Sequence, residues 1–194
     1  SRLSEMTPCH GLLGSVWACN QILCGMYGEY VRSDGAMPQH RSDDGTETSL
    51  ADVSCQLLEA FTTILTYKRL KKVCEASLNN VVSDTIQHYM MITPDDAEEW
   101  LDDCNSFLSS GEEFWGCRSS GGLLIESIVE SYGHAGACAL QDGISKAIET
   151  AENALQAQNV IFWRFMEAAL LALCNVPEYF IGKTKRDEFL KKDG

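Results

Sequence analysis

The sequence predicts an all-α protein in which antiparallel helix pairs stack side by side, and three observations carry that expectation. Apolar residues recur at helical spacing, as in Leu50, Val53, Leu57, Leu58, Phe61, Ile64 and Leu65, while no run rich in Val, Ile or Thr alternates as a strand would. Helix-start signals recur at Thr7-Pro8, at Ser49 with Asp52 and at Thr93-Pro94; there a side-chain oxygen can accept from free backbone N–H groups, and proline suits the first helical position. Finally, the second helix of each pair starts near Ser49, Arg118 and Val160. Arg118 and Val160 are 42 positions apart; Ser49 and Arg118 are 69 apart, or 44 when the 25 residues from Thr93 to Cys117 are set aside as an insertion.

Taken in order, the first helix runs from Thr7-Pro8 to about Arg32, with Leu13, Val16, Trp17, Leu23, Tyr27, Tyr30 and Val31 on its apolar face. Ser33 to Thr48 is rich in Asp, Gly, Ser and Thr and has no period, so it reads as a loop. The capping pair Ser49 and Asp52 opens the clearest helix, which ends near Thr66. After a short break, Leu70, Val73, Cys74, Val81, Val82, Ile86, Tyr89 and Met90 form one face of the next helix. A short helix over Pro94 to Asp103 follows. Cys117 to Tyr132 forms another, stopped by Gly133, a residue suited to the left-handed C-cap. Gly136 to Ala157 follows, with Leu140, Ile144, Ile148, Ala151 and Leu155 inward, and Asn159 is placed to cap Val160 to Cys174 before Val176-Pro177.

Both repeat intervals lie within the ~40 to 47 residue period of two-helix solenoids of the HEAT type. The reading is therefore a HEAT-type α–α superhelix of three stacked hairpins, about residues 9–66, 70–132 and 135–174, with an acidic insertion over 93–117 and a polar tail over 181–194. A single hairpin cannot bury its apolar stripe, so the three share one core and the end hairpins present faces suited to self-association. A six-helix globular bundle is the competing arrangement.

Composition narrows the function. Of 194 residues, 45% are hydrophobic and 22% charged; the net charge is −13 and the isoelectric point about 4.6. Such a negative field opposes nucleic-acid binding. The apolar runs are too short to span a bilayer and the first residues lack a signal-peptide core, so the expectation is a soluble intracellular chain. Nine cysteines stand singly without CxxC pairs, as expected of reduced, mostly buried thiols rather than a zinc or redox motif. His10, His40, His88 and His134 have no partner at the spacing of a metal or nucleophile motif, and there is no HExxH, P-loop or GxSxG. No enzyme, metal or cofactor is expected.

The charge is concentrated. Thr93 to Glu113 holds eight carboxylates, Asp95, Asp96, Glu98, Glu99, Asp102, Asp103, Glu112 and Glu113, and no Lys or Arg. Trp100 and Trp115 lie in and beside it, and a purely solubilising segment has no use for two large apolar side chains. The alternative, a solvated charge run, is the usual reading of such composition.

The residues also resemble a family. Tyr89-Met90-Met91-Ile92-Thr93, the acidic Trp100 segment, Glu112-Glu113-Phe114-Trp115 and Cys117-Arg118 leading into Leu123-Leu124 look like the middle of an importin-β-type nuclear transport receptor. Phe162-Trp163-Arg164-Phe165-Met166-Glu167-Ala168-Ala169-Leu170 is similar to a further pattern of that family. The likeness covers about Ser49 to Val176, and Ser106 to Gly111 interrupts what in the family is a denser acidic run. It implies an internal piece of a longer superhelix that carries basic proteins, such as core histones and ribosomal proteins, between cytoplasm and nucleus. It also implies control by the GTPase Ran through repeats outside this stretch, and it adds Trp163 and Arg164 as concave-face cargo contacts. Two function classes follow: a transport receptor whose acidic arm holds basic cargo, or a generic helical-repeat scaffold for protein interactions.

Overall fold

Helix α1 (Thr7–Arg32) opens a computed structural model that describes residues 7–33, 37–43, 45–105, 107 and 116–177. The segment after it is not wholly irregular. β1 (Gln39–Arg41) pairs antiparallel with β2 (Glu47–Ser49), His40 opposite Thr48, around a turn in which Gly45 takes φ +86°. Sequence reading expects no strand here; three-residue strands are too short for alternation to be legible.

Ser49 then caps α2 (Leu50–Thr66) as expected. Its hydroxyl accepts from Asp52 N–H, and the Asp52 carboxylate accepts from Ser49 N–H at 2.8 Å. Leu57, Leu58, Phe61 and Leu65 form the buried face, with Phe61 edge-on to Trp17 at 4.8 Å.

The next helix is not the continuous one expected over Leu70 to Met90. It divides into α3 (Lys71–Cys74), a 3₁₀ turn (Glu75–Ser77), α4 (Leu78–Asp84) and a π-helical turn (Thr85–Tyr89). Thr85 Oγ1 donates to Val81 O at 2.7 Å, and Met90 N–H reaches back to Thr85 O. That hydroxyl competes for carbonyls within the helix and favours local rewinding. Ile86, Tyr89, Met90, Met91 and Ile92 are nonetheless fully buried.

Thr93 closes a second reciprocal cap with Asp96 and opens α5 (Pro94–Asp102). α6 (Cys117–Tyr132) ends at Gly133, whose φ of +56° suits a residue without a side chain. Gly121 lies against α4's extension; a Cβ there would meet Met90 Cγ at 2.9 Å. The glycine therefore serves close packing.

α7 (His134–Gln156) and α8 (Phe162–Cys174) complete the described elements. Leu140 and Ala151 face inward as expected, but Leu155 is exposed. Asn159 does not cap α8. Its side-chain oxygen accepts from Ile161 N–H, and α8 begins two residues later than expected, without a side-chain cap.

The helices form two rows. In one, α1 packs on the Thr85–Tyr89 turn and α4 packs on α7; in the other, α2 packs on α6, which touches α8. α1 also meets α2 and α7 meets α8, so one core runs through both rows. Polar ties cross it: Tyr132 OH donates to Leu65 O, Lys71 Nζ donates to Ser131 O, and Arg118 makes a two-bonded pair with Glu167. No helix among the described residues is long and apolar enough to cross a membrane.

Candidate functional site

The capping chemistry that starts α2 and α5 also builds a cleft. Asp52 at the head of α2, Thr93, Asp95, Asp96 and Glu99 of α5, and the first turn of α6 converge on the last turns of α1. The space between them is about 450 Å³, walled by Tyr27, Tyr30, Met37 and Phe107. Four carboxylates thus meet one guanidinium. That cation, Arg118, is already engaged by Glu167 at 2.6 and 2.9 Å and by the Met90 carbonyl at 2.6 Å.

Each acid is held. The reciprocal bonds with Ser49 lower the Asp52 pKa, because they stabilise its charged form. Asp96 is fixed by Thr93. Asp95 accepts from the Tyr30 hydroxyl at 3.1 Å, and burial pushes that phenol up to about 12, so Tyr30 remains a donor. Tyr27 stacks at an angle on Tyr30 and Tyr89, with centroids 5.8 and 5.6 Å apart, and burial raises its pKa too. Three helix starts border the cleft, and at α2 and α5 the helix's own acid, Asp52 or Asp96, already occupies the place an anion would take. A cleft with acidic walls and ring faces suits a cationic side chain, which gains from both.

The sequence-predicted residues divide. Asp95, Asp96 and Glu99 line the cleft, while Glu98, Asp102 and Asp103 are exposed on and just beyond α5. Trp100 is 42% exposed and packs on Phe107 with centroids 5.2 Å apart, which links the exposed acids to the cleft wall. Glu112, Glu113 and Trp115 lie outside the described residues. Trp163 is 38% exposed and stacks on the Arg164 guanidinium, and neither lines the cleft.

Arg164 is a correction. Expected as a surface contact for cargo, it is 8% exposed and donates to the Val31 carbonyl at 2.7 Å, tying α8 to the end of α1. Its long side chain is spent inside the protein. Sequence reading also missed Asp52, Tyr27, Tyr30 and Met37 as site residues. The first three have roles in helix capping or a helix face that account for them fully, and nothing in a chain separation of tens of residues signals that they meet.

Two cysteine findings differ from expectation. The eight described cysteines are free thiols, but Cys19, Cys104 and Cys174 are exposed rather than buried. Cys55 Sγ lies 3.6 Å from Cys117 Sγ, beneath the cleft, and a hydrogen bond from Cys117 lowers the Cys55 pKa. His88, without a partner in the sequence, comes to lie beside Cys24 and Asp84.

Neither a scan against protein-family models nor a search of curated protein sequences finds a match for this chain.

Proposed function

We propose that this chain is a protein-binding segment that takes basic protein surfaces at the cleft between α1, α2, α5 and α6. The observation that carries the reading is the placement of Asp52, Asp95, Asp96 and Glu99 around aromatic walls, with Arg118, the one lining cation among the described residues, already paired. Exposed ion pairs are worth only about 0–1 kcal/mol each, so a cleft that seats a cationic side chain among carboxylates and rings is a better anchor than an acidic run alone.

In this reading the helices form a HEAT-type stack. Part of the packing supports it: α1 neighbours the Thr85–Tyr89 turn, α4 neighbours α7 and α2 neighbours α6, like against like as in a solenoid, although α8 packs more on the Thr85–Tyr89 turn than on α6. The resemblance to importin-β-type receptors supplies the wider role, nuclear import of basic cargo such as core histones or ribosomal proteins, moving between cytoplasm and nucleus. Ran would be bound by repeats outside this chain.

The test is binding of a core histone and of a neutral protein to the chain and to a variant in which two cleft acids are neutralised, Asp95→Asn and Glu99→Gln. Asp52 and Asp96 stay, because they close helix caps. The reading expects weaker histone binding and a flatter salt dependence in the variant. Equal affinity and an equal salt slope would leave only the generic scaffold.

A further inference from the structure

We propose that Cys24, Asp84 and His88 form a binding site for a divalent transition-metal ion of the zinc type. The site is separate from the acidic cleft and does not depend on the cargo reading. One donor atom from each residue lies within 4.8 Å of the other two, and the group is buried or half-buried between α1 and the α4–π segment. Thiolate, imidazole and carboxylate are the donor types that zinc takes in tetrahedral sites.

The surroundings are arranged for ligation. Asp84 and His88 stand one turn apart across the entry to the π-helical turn, an irregularity often found at functional sites. Asp84 Oδ2 accepts from Asn20 Nδ2 at 2.9 Å and Gln21 Nε2 at 3.2 Å, which orients the carboxylate and leaves Oδ1 for an ion. His88 Nδ1 is buried and has no hydrogen-bond partner. A buried polar atom left unpaired is destabilising, and coordination would satisfy this one.

Gly28 makes room for that ring. A Cβ at this position would fall 2.6 Å from His88 Nδ1, so only glycine lets the imidazole approach α1 one turn beyond Cys24. Asn20 Oδ1, 3.6 Å from Cys24 Sγ, can supply a fourth donor. A cleft of about 160 Å³ lies against Asn20, Gln21 and Asp84, on the Asp84 side of the group. Metal–ligand bonds of about 2.0–2.3 Å require the donors to draw together by roughly 1 Å, within reach of side-chain rotation. Arg32 also crowds over Gly28. It opposes a cation, but its exposed guanidinium can turn to solvent.

Cobalt tests the site, because Co2+ takes zinc's tetrahedral geometry and absorbs visible light. Reduced, chelator-treated chain is titrated with Co2+ alone. The site predicts one equivalent bound, with thiolate-to-cobalt charge transfer and tetrahedral d–d bands, displaced by Zn2+. Cys24→Ser should abolish the charge-transfer band, and His88→Gln should weaken binding by at least ~10-fold, the least that losing even an outer hydrogen-bond partner of a metal ligand costs. Cys138→Ser, at a half-buried cysteine 3.6 Å from His134, should change nothing. A wild-type chain without the charge-transfer band, or a Cys24→Ser chain that keeps it, overturns the site. Should Cys24→Ser lose helix content, Asp84→Asn decides, since its amide oxygen still accepts from Asn20 and Gln21; cobalt affinity equal to wild type there also overturns it.

Discussion

Arg118 and Glu167 join α6 to α8 through two parallel hydrogen bonds, Nη1 to Oε2 at 2.9 Å and Nη2 to Oε1 at 2.6 Å. The guanidinium also donates to the Met90 carbonyl, so one side chain holds three segments together. With side chains 21% and 25% exposed, the pair is partly screened, and its worth is below that of a fully buried pair. Arg118→Met should lower stability by about 1–3 kcal/mol. Each kcal/mol moves Tm by about 2–4 °C for a chain of this length. A double-mutant cycle with Glu167→Gln should show coupling; purely additive losses would mean that the two residues act separately.

The caps give a second prediction. Ser49→Ala and Thr93→Ala should each cost about 1 kcal/mol, because each removes the hydroxyl that accepts from the third-residue N–H and leaves only the reciprocal bond from the cap's own backbone N–H. Their functional effects should differ. Thr93→Ala loosens α5 and with it the cleft, so basic-protein binding should fall; Ser49→Ala also frees one wall, Asp52, but leaves α5 in place and should matter less.

Asp52 adds a pH dependence. Its pKa in the folded chain is lowered from 3.8, so its contribution is present above the unfolded value and is lost as pH falls through the folded one. Acid titration of wild type and Asp52→Asn should therefore diverge above pH ~4 and converge below it. Stability curves that stay parallel to low pH would show that the carboxylate contributes nothing as an anion.

Cys55 should be the reactive thiol of its pair. The hydrogen bond from Cys117 lowers its pKa and favours its thiolate, whereas the neighbouring sulfur and burial raise that of Cys117. Cys117 has one S–H to share between the Cys55 sulfur at 3.6 Å and the Ala51 carbonyl at 3.4 Å. Alkylation mapped by peptide mass at pH 7 should label Cys55 before Cys117. Cys117→Ala removes the donor and should slow Cys55 labelling; a faster rate in that variant would contradict the assignment.

A last prediction concerns the two ends. α1 exposes Leu12, Ile22 and Met26, and the α7–α8 end exposes Leu155, Val160, Trp163 and Leu170. Apolar faces of this kind associate. Concentration-dependent self-association, measured by sedimentation, should weaken when Leu12, Ile22 and Met26 are replaced by Gln. Monomeric behaviour in the parent chain at high concentration would rule the contact out.

Local chemistry was readable from the chain because it is local. The period of apolar residues placed α2, α6, α7 and most of α1, and the caps were legible at Ser49 from Asp52 three residues on and at Thr93 from the proline that follows it. The same rules failed where competing contacts act over a turn or two: the hydroxyl of Thr85 rewinds the helix into a π turn, and a three-residue hairpin leaves no alternation to detect. The acidic segment was visible as composition, but composition could not say that Asp52 and Tyr30 would face it across the cleft. Nor could it show that Arg164 would bury itself against the Val31 carbonyl while Arg118 paired with Glu167. Those are encounters between residues distant in the chain, and only packing of one helix row on the other decides them, because a side chain's partner is set by where its whole helix docks.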